Sequence, residues 1–174
     1  MAPTVGSAEP AQRRALEELY VAHERGLYNV AYRYVWSADE ARDVVHDAFV
    51  RLWRKRDTVD WERAAGLAYT IVLGLARNRR RAFSIRRALG LGREVLAATA
   101  PDAALAAAEL DAAVRRCIDE LPDRLRSVLV MCQYSGLDHA QIAVALDIAV
   151  GTVGSRRNEA IARVRARLQE LGHA

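Results

Sequence analysis

The chain has only two cysteines, Cys117 and Cys132, and they stand inside helical patterns without metal-like spacing. That excludes a disulfide framework and fits small buried side chains in a reducing cytoplasm. The four histidines, His23, His46, His139 and His173, are scattered, and no pair has ligand spacing. No apolar run approaches the roughly 18 residues of a spanning helix, so no membrane insertion is expected. The start, Met1-Ala-Pro-Thr-Val-Gly-Ser7, lacks the basic opening and apolar core of a secretory signal. No nucleophile–base set, phosphate loop or metal cluster is present, which points to a protein that is not an enzyme and needs no cofactor. Lysine is nearly missing as well: of 26 basic residues only Lys55 is not arginine. Positive charge is therefore carried by planar guanidinium forks, whose geometry matches phosphate.

What is present is a chain of 174 residues with 52% apolar content, enough for one or two small domains with real cores. The net charge of +4 gains meaning from its placement. Through Glu62 acid slightly exceeds base, whereas seven arginines and no acid lie between Arg77 and Arg93. Five more arginines stand against Glu159 alone between Arg156 and Arg167. Two separated basic patches fit a polyanion contacted at two places, although a solvated face explains any single patch.

The stretch Leu121–Arg156 reads as helix, turn, helix. Pro122 suits a helix start. Leu125, Val128, Leu129 and Cys132 then recur at helical spacing, and Gly136 ends that helix. Asp138 with Gln141 makes a capping box for a second helix burying Ile142, Ala145 and Leu146. After Asp147-Ile148-Ala149 a third helix starts near Val150 and carries Thr152, Ser155, Arg156, Arg157 and Asn158 on polar faces. Such a unit suits major-groove reading of DNA. On periodicity alone, a plain helical hairpin with a solvated basic face fits equally.

The run Leu121-Pro, Arg126-x-Val128, Gly136-Leu137, Ile142-Ala143, Leu146-x-Ile148, Gly151-Thr152-Val153 and Ser155-Arg156 resembles region 4 of bacterial sigma factors, in particular the extracytoplasmic-function (ECF) group. The resemblance implies −35 promoter contact by Thr152, Ser155, Arg156, Arg157, Asn158 and Glu159, with Arg157 and Arg163 meeting phosphate. Four positions depart from the family. Ala149 replaces a serine N-cap, Asp147 replaces a turn glycine, and Gly154 and Glu159 stand where basic residues are common. Aspartate tolerates left-handed backbone, and a glutamate in the groove accepts from cytosine N4 or avoids phosphate.

In the front half, two prolines and small residues mark 1–11 as mobile, and a helix is expected from Gln12 to Val35 with Leu16, Leu19, Tyr20, His23, Leu27, Ala31 and Tyr34 inward. Gly26 weakens its middle by about 1 kcal/mol relative to alanine. Ser37-Ala-Asp-Glu40 forms another capping box. Behind it Ala41, Val44, Val45, Ala48, Phe49, Leu52 and Trp53 make a core-facing stripe. A second, mostly polar stripe carries Asp43, His46, Asp47, Val50 and Arg54.

Ala41-x-Asp43-x-Val45-His46-Asp47-x-Phe49-x-x-Leu52-Trp53 resembles sigma region 2.2. The resemblance makes Asp43, His46, Asp47 and Val50 the docking face for the β′ clamp helices of core RNA polymerase, with the β subunit a further contact. His46 stands where the family has glutamine; an imidazole still exchanges hydrogen bonds, with some pH sensitivity. Downstream, an apolar helix from Ala68 to Ala76 runs into Arg77-Asn78-Arg79-Arg80-Arg81, where the family places its −10 contacts. Two registers remain open: Ala76-Arg77-Asn78 matches by letter, whereas spacing from Trp53 favours Leu73-Gly74 at that position. Asn78, Arg79, Arg80 and Arg81 are carried over as base or backbone contacts, the arginines having the stronger case for phosphate. Tyr69 and Phe83 could stack an unpaired base, but a core role fits each better.

The expected architecture is all-α: two small helical domains, a region 2 bundle at 12–88 and a region 4 helix-turn-helix at 112–174, joined by a flexible linker at 89–111. The family implies a cytoplasmic protein that brings core polymerase to promoter DNA and is held by an anti-sigma regulator. A stand-alone helix-turn-helix regulator is the alternative, but it leaves the 39–54 pattern unexplained. A helical enzyme or interaction scaffold is a further rival, for which the arginine clusters would be incidental.

Overall fold

A computed structural model describes residues 5–89 and 102–173. Among the described residues it contains seven α-helices and no strand. They are α1 (Val5–Val35), α2 (Ala38–Arg54), α3 (Ala64–Ala88), α4 (Asp102–Glu120), α5 (Asp123–Tyr134), α6 (His139–Leu146) and α7 (Val150–Glu170). Two 3₁₀ turns, Arg56–Thr58 and Trp61–Arg63, bridge α2 to α3. The stretch read as a linker lies, from 90 to 101, outside the described residues.

The polar and apolar faces fall where the spacing puts them. Helix α2 buries Ala41, Val44, Val45, Ala48, Phe49 and Leu52 against α1 and α3. Helix α1 contributes Leu19, Leu27, Val30, Ala31 and Tyr34 to the same core, and α3 contributes Ala68, Tyr69, Val72, Leu73 and Ala76. Each fully buried valine or leucine among them contributes about 1.5–3 kcal/mol. Two details differ from the sequence reading. Helix α1 begins at Val5, upstream of Gln12, and passes through Pro10, which forfeits one helix hydrogen bond near the end of the element. Tyr20 lies at the surface, its ring edge-on to Phe49 at 5.0 Å between centroids.

The helix ends follow capping chemistry. Asp138 and Gln141 form the full reciprocal box of α6. Ser37 accepts from Glu40 N at 3.4 Å, but the Glu40 carboxylate turns to Arg79 and so closes only half of the box expected for α2. Asp147 takes the left-handed backbone its family position requires, φ 52°. Ala149 occupies the N-cap of α7 without a side-chain bond. Arg126 is almost fully buried and donates to the carbonyls of Ile118 (2.8 Å), Leu121 (2.9 Å) and Asp119, closing the C-terminal end of α4.

The two helical units share one apolar core. It runs from Leu27, Val30 and Tyr34 of α1 through Tyr69 and Val72 of α3 to Val130 and Met131 of α5, Ile142 of α6 and Val153 of α7. A smaller cluster, Leu121, Leu125, Leu129 and Ala160, sits within the C-terminal unit. Gly26 owes its place to this packing. A β-carbon there would approach Ser135 O to 2.7 Å and the Tyr69 hydroxyl more closely still. The helix-propensity cost of that glycine, about 1 kcal/mol, is offset by the close approach of α1 to the α5–α6 turn.

Candidate nucleic-acid interface

Helices α6 and α7, joined across Asp147–Ala149, form a helix-turn-helix with α5 behind them. Val153 and Ala160 face the core, which leaves the intervening positions of α7 turned outward. Ser155, Asn158 and Glu159 are exposed; Thr152, Arg156 and Arg157 are half-buried. Two of these side chains already have partners. The Ser155 hydroxyl donates back to Thr152 O at 3.2 Å, and Glu159 pairs with Arg163 at 2.8 Å. Glu159 and the phosphate candidate Arg163 therefore neutralise one another. Arg156 and Arg157 have no ion-pair partner among the described residues. Arg157 lies near Cys132, whose thiol burial pushes up more than that charge lowers it. Burial likewise raises Cys117, so neither thiol is an activated nucleophile.

The front unit brings the docking and −10 candidates together. Asp43 and His46 are exposed on α2, and Asp47 and Val50 are half-buried. Arg79 of α3 reaches across to this face, at 2.6 Å from Glu40, 2.9 Å from Asp47 and 3.6 Å from Asp43. The hydrogen bond to Glu40 raises the Arg79 pKa further, so it stays charged. Thus the second stripe of α2 is an acidic surface held by an arginine that the sequence reading assigned to DNA. Beside it, α1 and α2 enclose an open groove of about 560 Å³ lined by Tyr20, Glu24, Arg25, Tyr28, Val45, His46 and Phe49 among others. On the α1 side of this groove the sequence marks only Tyr20, and marks it as an inward position.

Along α3 the arginines diverge. Asn78 and Arg81 are exposed, while Arg77, Arg79 and Arg80 are half-buried. Arg77 pairs with Asp123 at 2.8 Å. Arg80 donates to Asp119 O at 2.9 Å and stands 3.6 Å from the Asp119 carboxylate. Tyr69 is wholly buried, which settles its role as core, whereas Phe83 is more than half exposed. No group of three or more His, Cys, Asp or Glu placed to hold a metal occurs among the described residues. No helix among them is long and apolar enough to cross a membrane.

Residues 19–84 match the family model for sigma-70 region 2, and residues 111–168 match that for sigma-70, region 4. The chain belongs to the ECF sigma factors of the sigma-70 family. It is 30% identical to the ECF RNA polymerase sigma factor SigL of Mycobacterium tuberculosis, with 97% of each chain covered. Against the ECF RNA polymerase sigma-E factor of Escherichia coli it is 29% identical, over 87% of this chain and 85% of that one. Among solved structures, CnrH in complex with the cytosolic domain of CnrY matches with a TM-score of 0.70 at 25% identity, covering 94% and 95% of the two chains. The fold is shared also with the sigma factor RpoE of Bartonella quintana, solved with the anti-sigma factor NepR, at a TM-score of 0.61 and 20% identity over 90% and 96%.

Within an ECF sigma factor, the geometry separates the arginines by what they face. Arg81 and Asn78 are open to solvent, Arg79 organises the acidic face of α2, and Arg77 and Arg80 meet carboxylates of the C-terminal unit. Asp119 and Asp123 carry no mark in the sequence, Glu40 is marked only as part of a cap, and Arg77 only as part of the arginine cluster. Their partners lie at least 32 positions away, so no local pattern marks the pairings.

Proposed function

We propose that this ECF sigma factor directs core RNA polymerase to specific promoters by docking through the outer face of α2 and reading DNA with α3 and α7. The observation that carries the reading is the pairing, in one chain, of an acidic α2 face beside the α1 groove with a helix-turn-helix whose Arg156 and Arg157 have no acidic partner among the described residues. In this division of labour the chain supplies address and the polymerase supplies chemistry. Unit 12–88 carries polymerase docking through Asp43, His46, Asp47 and Val50, and −10 contact through Asn78, Arg80 and Arg81. Unit 112–174 carries −35 contact through Thr152, Ser155, Arg156, Arg157 and Asn158. Arg79 supports the docking face, and Glu159 restrains Arg163. The protein works in the cytoplasm, where polymerase and promoter are. An anti-sigma partner is proposed because CnrH and RpoE, which share the fold, were each solved with a bound protein.

Co-purification with bacterial core RNA polymerase, followed by run-off transcription on a promoter library, tests this directly. Stable association with promoter-specific initiation is expected. Tight polymerase-independent binding to duplex DNA would instead make the chain a stand-alone regulator. Asp43→Arg isolates the docking face: Asp43 is 68% exposed and only peripheral to Arg79, so its reversal leaves α2 folded. Polymerase affinity should fall by more than about tenfold, the scale of losing one central charged contact. Unchanged affinity in that variant removes the α2 face from the reading.

A further inference from the structure

The outward ridge of α7 carries almost no side chain able to read a base. Val153 and Ala160 are fully buried, which fixes the rotation of α7 about its own axis. At about 3.6 residues per turn, Gly151, Ser155, Asn158 and Ala162 then line up opposite the core, and all four are exposed. Arg156 and Arg157 stand half-buried on the two sides nearer the core, a placement that suits phosphate rather than base edges. The Ser155 hydroxyl is turned back to Thr152 O at 3.2 Å, and Glu159, beside the ridge, holds Arg163 at 2.8 Å. Asn158 is left as the ridge side chain that offers both a donor and an acceptor, and among the described residues nothing engages it. The glycines add a second observation. A β-carbon at Gly151 or Gly154 would meet nothing within 4 Å, so the protein's own packing requires neither, in contrast to Gly26. Both lie inside α7, where glycine weakens a helix. What their missing side chains permit is close approach of the α7 backbone to something outside the chain.

We propose that α7 reads its DNA element through one amide: Asn158 accepts from N6–H and donates to N7 of a single adenine, with the helix seated close to the major-groove floor over Gly151 and Gly154. That bidentate pair is the one an asparagine makes with adenine. Guanine offers two acceptors there, O6 and N7, and is read by an arginine or lysine, which this ridge lacks. Glu159, an acceptor only, stands next to Asn158 and disfavours guanine further. Arg156 and Arg157 supply the sequence-independent hold on phosphate, and Asn158 supplies the choice of base. The proposal deepens the proposed function by naming the base that α7 selects, and it rests on that reading for placing the base in the −35 element.

The test selects a duplex DNA library with a randomised segment on the full chain bound to core RNA polymerase and, in parallel, on the full chain alone, and repeats both with Asn158→Ala. Wild type should enrich an element containing one adenine that becomes degenerate in Asn158→Ala while every other enriched position is kept. At that adenine, wild type should lose about tenfold in affinity on substitution by another base, and 7-deazaadenine, which lacks the N7 acceptor, should cost several-fold. The variant should bind all of these duplexes equally. Gly151→Leu tests the close seating: the position is exposed and leucine is the better helix former, so helicity by circular dichroism should hold while affinity for the selected duplex falls by about tenfold. Three results overturn the proposal: an enriched element with no adenine that depends on Asn158, an equal loss on every sequence in Asn158→Ala, or no enriched sequence at all. Wild-type affinity in Gly151→Leu overturns the close seating. An Asn158-dependent adenine selected by the chain alone, with no association with polymerase, supports the base reading and defeats only the sigma reading. Promoter-specific initiation that is indifferent to Asn158 does the reverse.

Discussion

At the scale of single residues, the interface between the units is written in groups whose protonation it controls. Tyr69 ordinarily ionises near 10; burial pushes it up to about 12, and burial raises Tyr34 further. A raised pKa on a tyrosine means that the fold favours the neutral phenol. Its stabilising contribution is complete below the unfolded value near 10 and is lost as pH rises through about 12. Tyr69→Phe should therefore cost about 1–2 kcal/mol at pH 8, where the hydrogen bond to Ser135 O is lost, and much less at pH 11. Urea unfolding of both proteins at the two pH values checks this. A gap that stays constant between pH 8 and 11 would remove Tyr69 as the source of alkaline sensitivity. Such roles were only half legible in the sequence. The core role of Tyr69 is the reading its sequence favours, but nothing local says that Ser135, 66 positions on, will lie against it. Gly26 read as a weakness for the same reason: the backbone that demands it belongs to another helix.

At the scale of elements, the sequence was a better guide, since caps and stripes are local. The Asp138–Gln141 box, the left-handed Asp147 and the apolar face of α2 all follow from residues within two turns of one another. The front capping box closes only by half, because Glu40 has a stronger partner in Arg79 than in its own helix terminus. Helix α7 offers a test of capping without any distant contact. Its N-cap Ala149 has φ −66° and ψ 145°, the extended geometry a capping serine needs, yet supplies no acceptor. Ala149→Ser should stabilise the protein by about 1 kcal/mol, which corresponds to a rise in Tm of about 2–4 °C for a chain of this size. Differential scanning fluorimetry reads the shift. A variant that melts at or below wild type would show that the backbone N–H groups at this end are already satisfied, or that the first turn of α7 does not form part of the cooperative unit.

At the scale of the molecule, the sequence reading of two domains on a tether accounts for the helices but not for how they are stabilised. Units of roughly 60–75 residues bury a smaller share of their surface than the whole chain does and are correspondingly marginal. Here Leu27, Val30 and Tyr34 of α1 share a continuous apolar cluster with Val130, Met131 and Ile142 of the opposite unit, so each half completes the core of the other. Charge adds little by comparison. The Arg77–Asp123 and Arg80–Asp119 pairs are about a third to a half exposed, and pairs in that range contribute only about 1 kcal/mol or less each. If apolar contact dominates, the two units should unfold together, and salt should barely separate them. Differential scanning calorimetry of the full chain should then show one transition whose calorimetric and van't Hoff enthalpies agree, at 0.05 M and at 0.5 M sodium chloride alike. Two resolved transitions at low salt would mean that the shared core does not couple the halves. Two transitions appearing only at high salt would assign the coupling to the ion pairs.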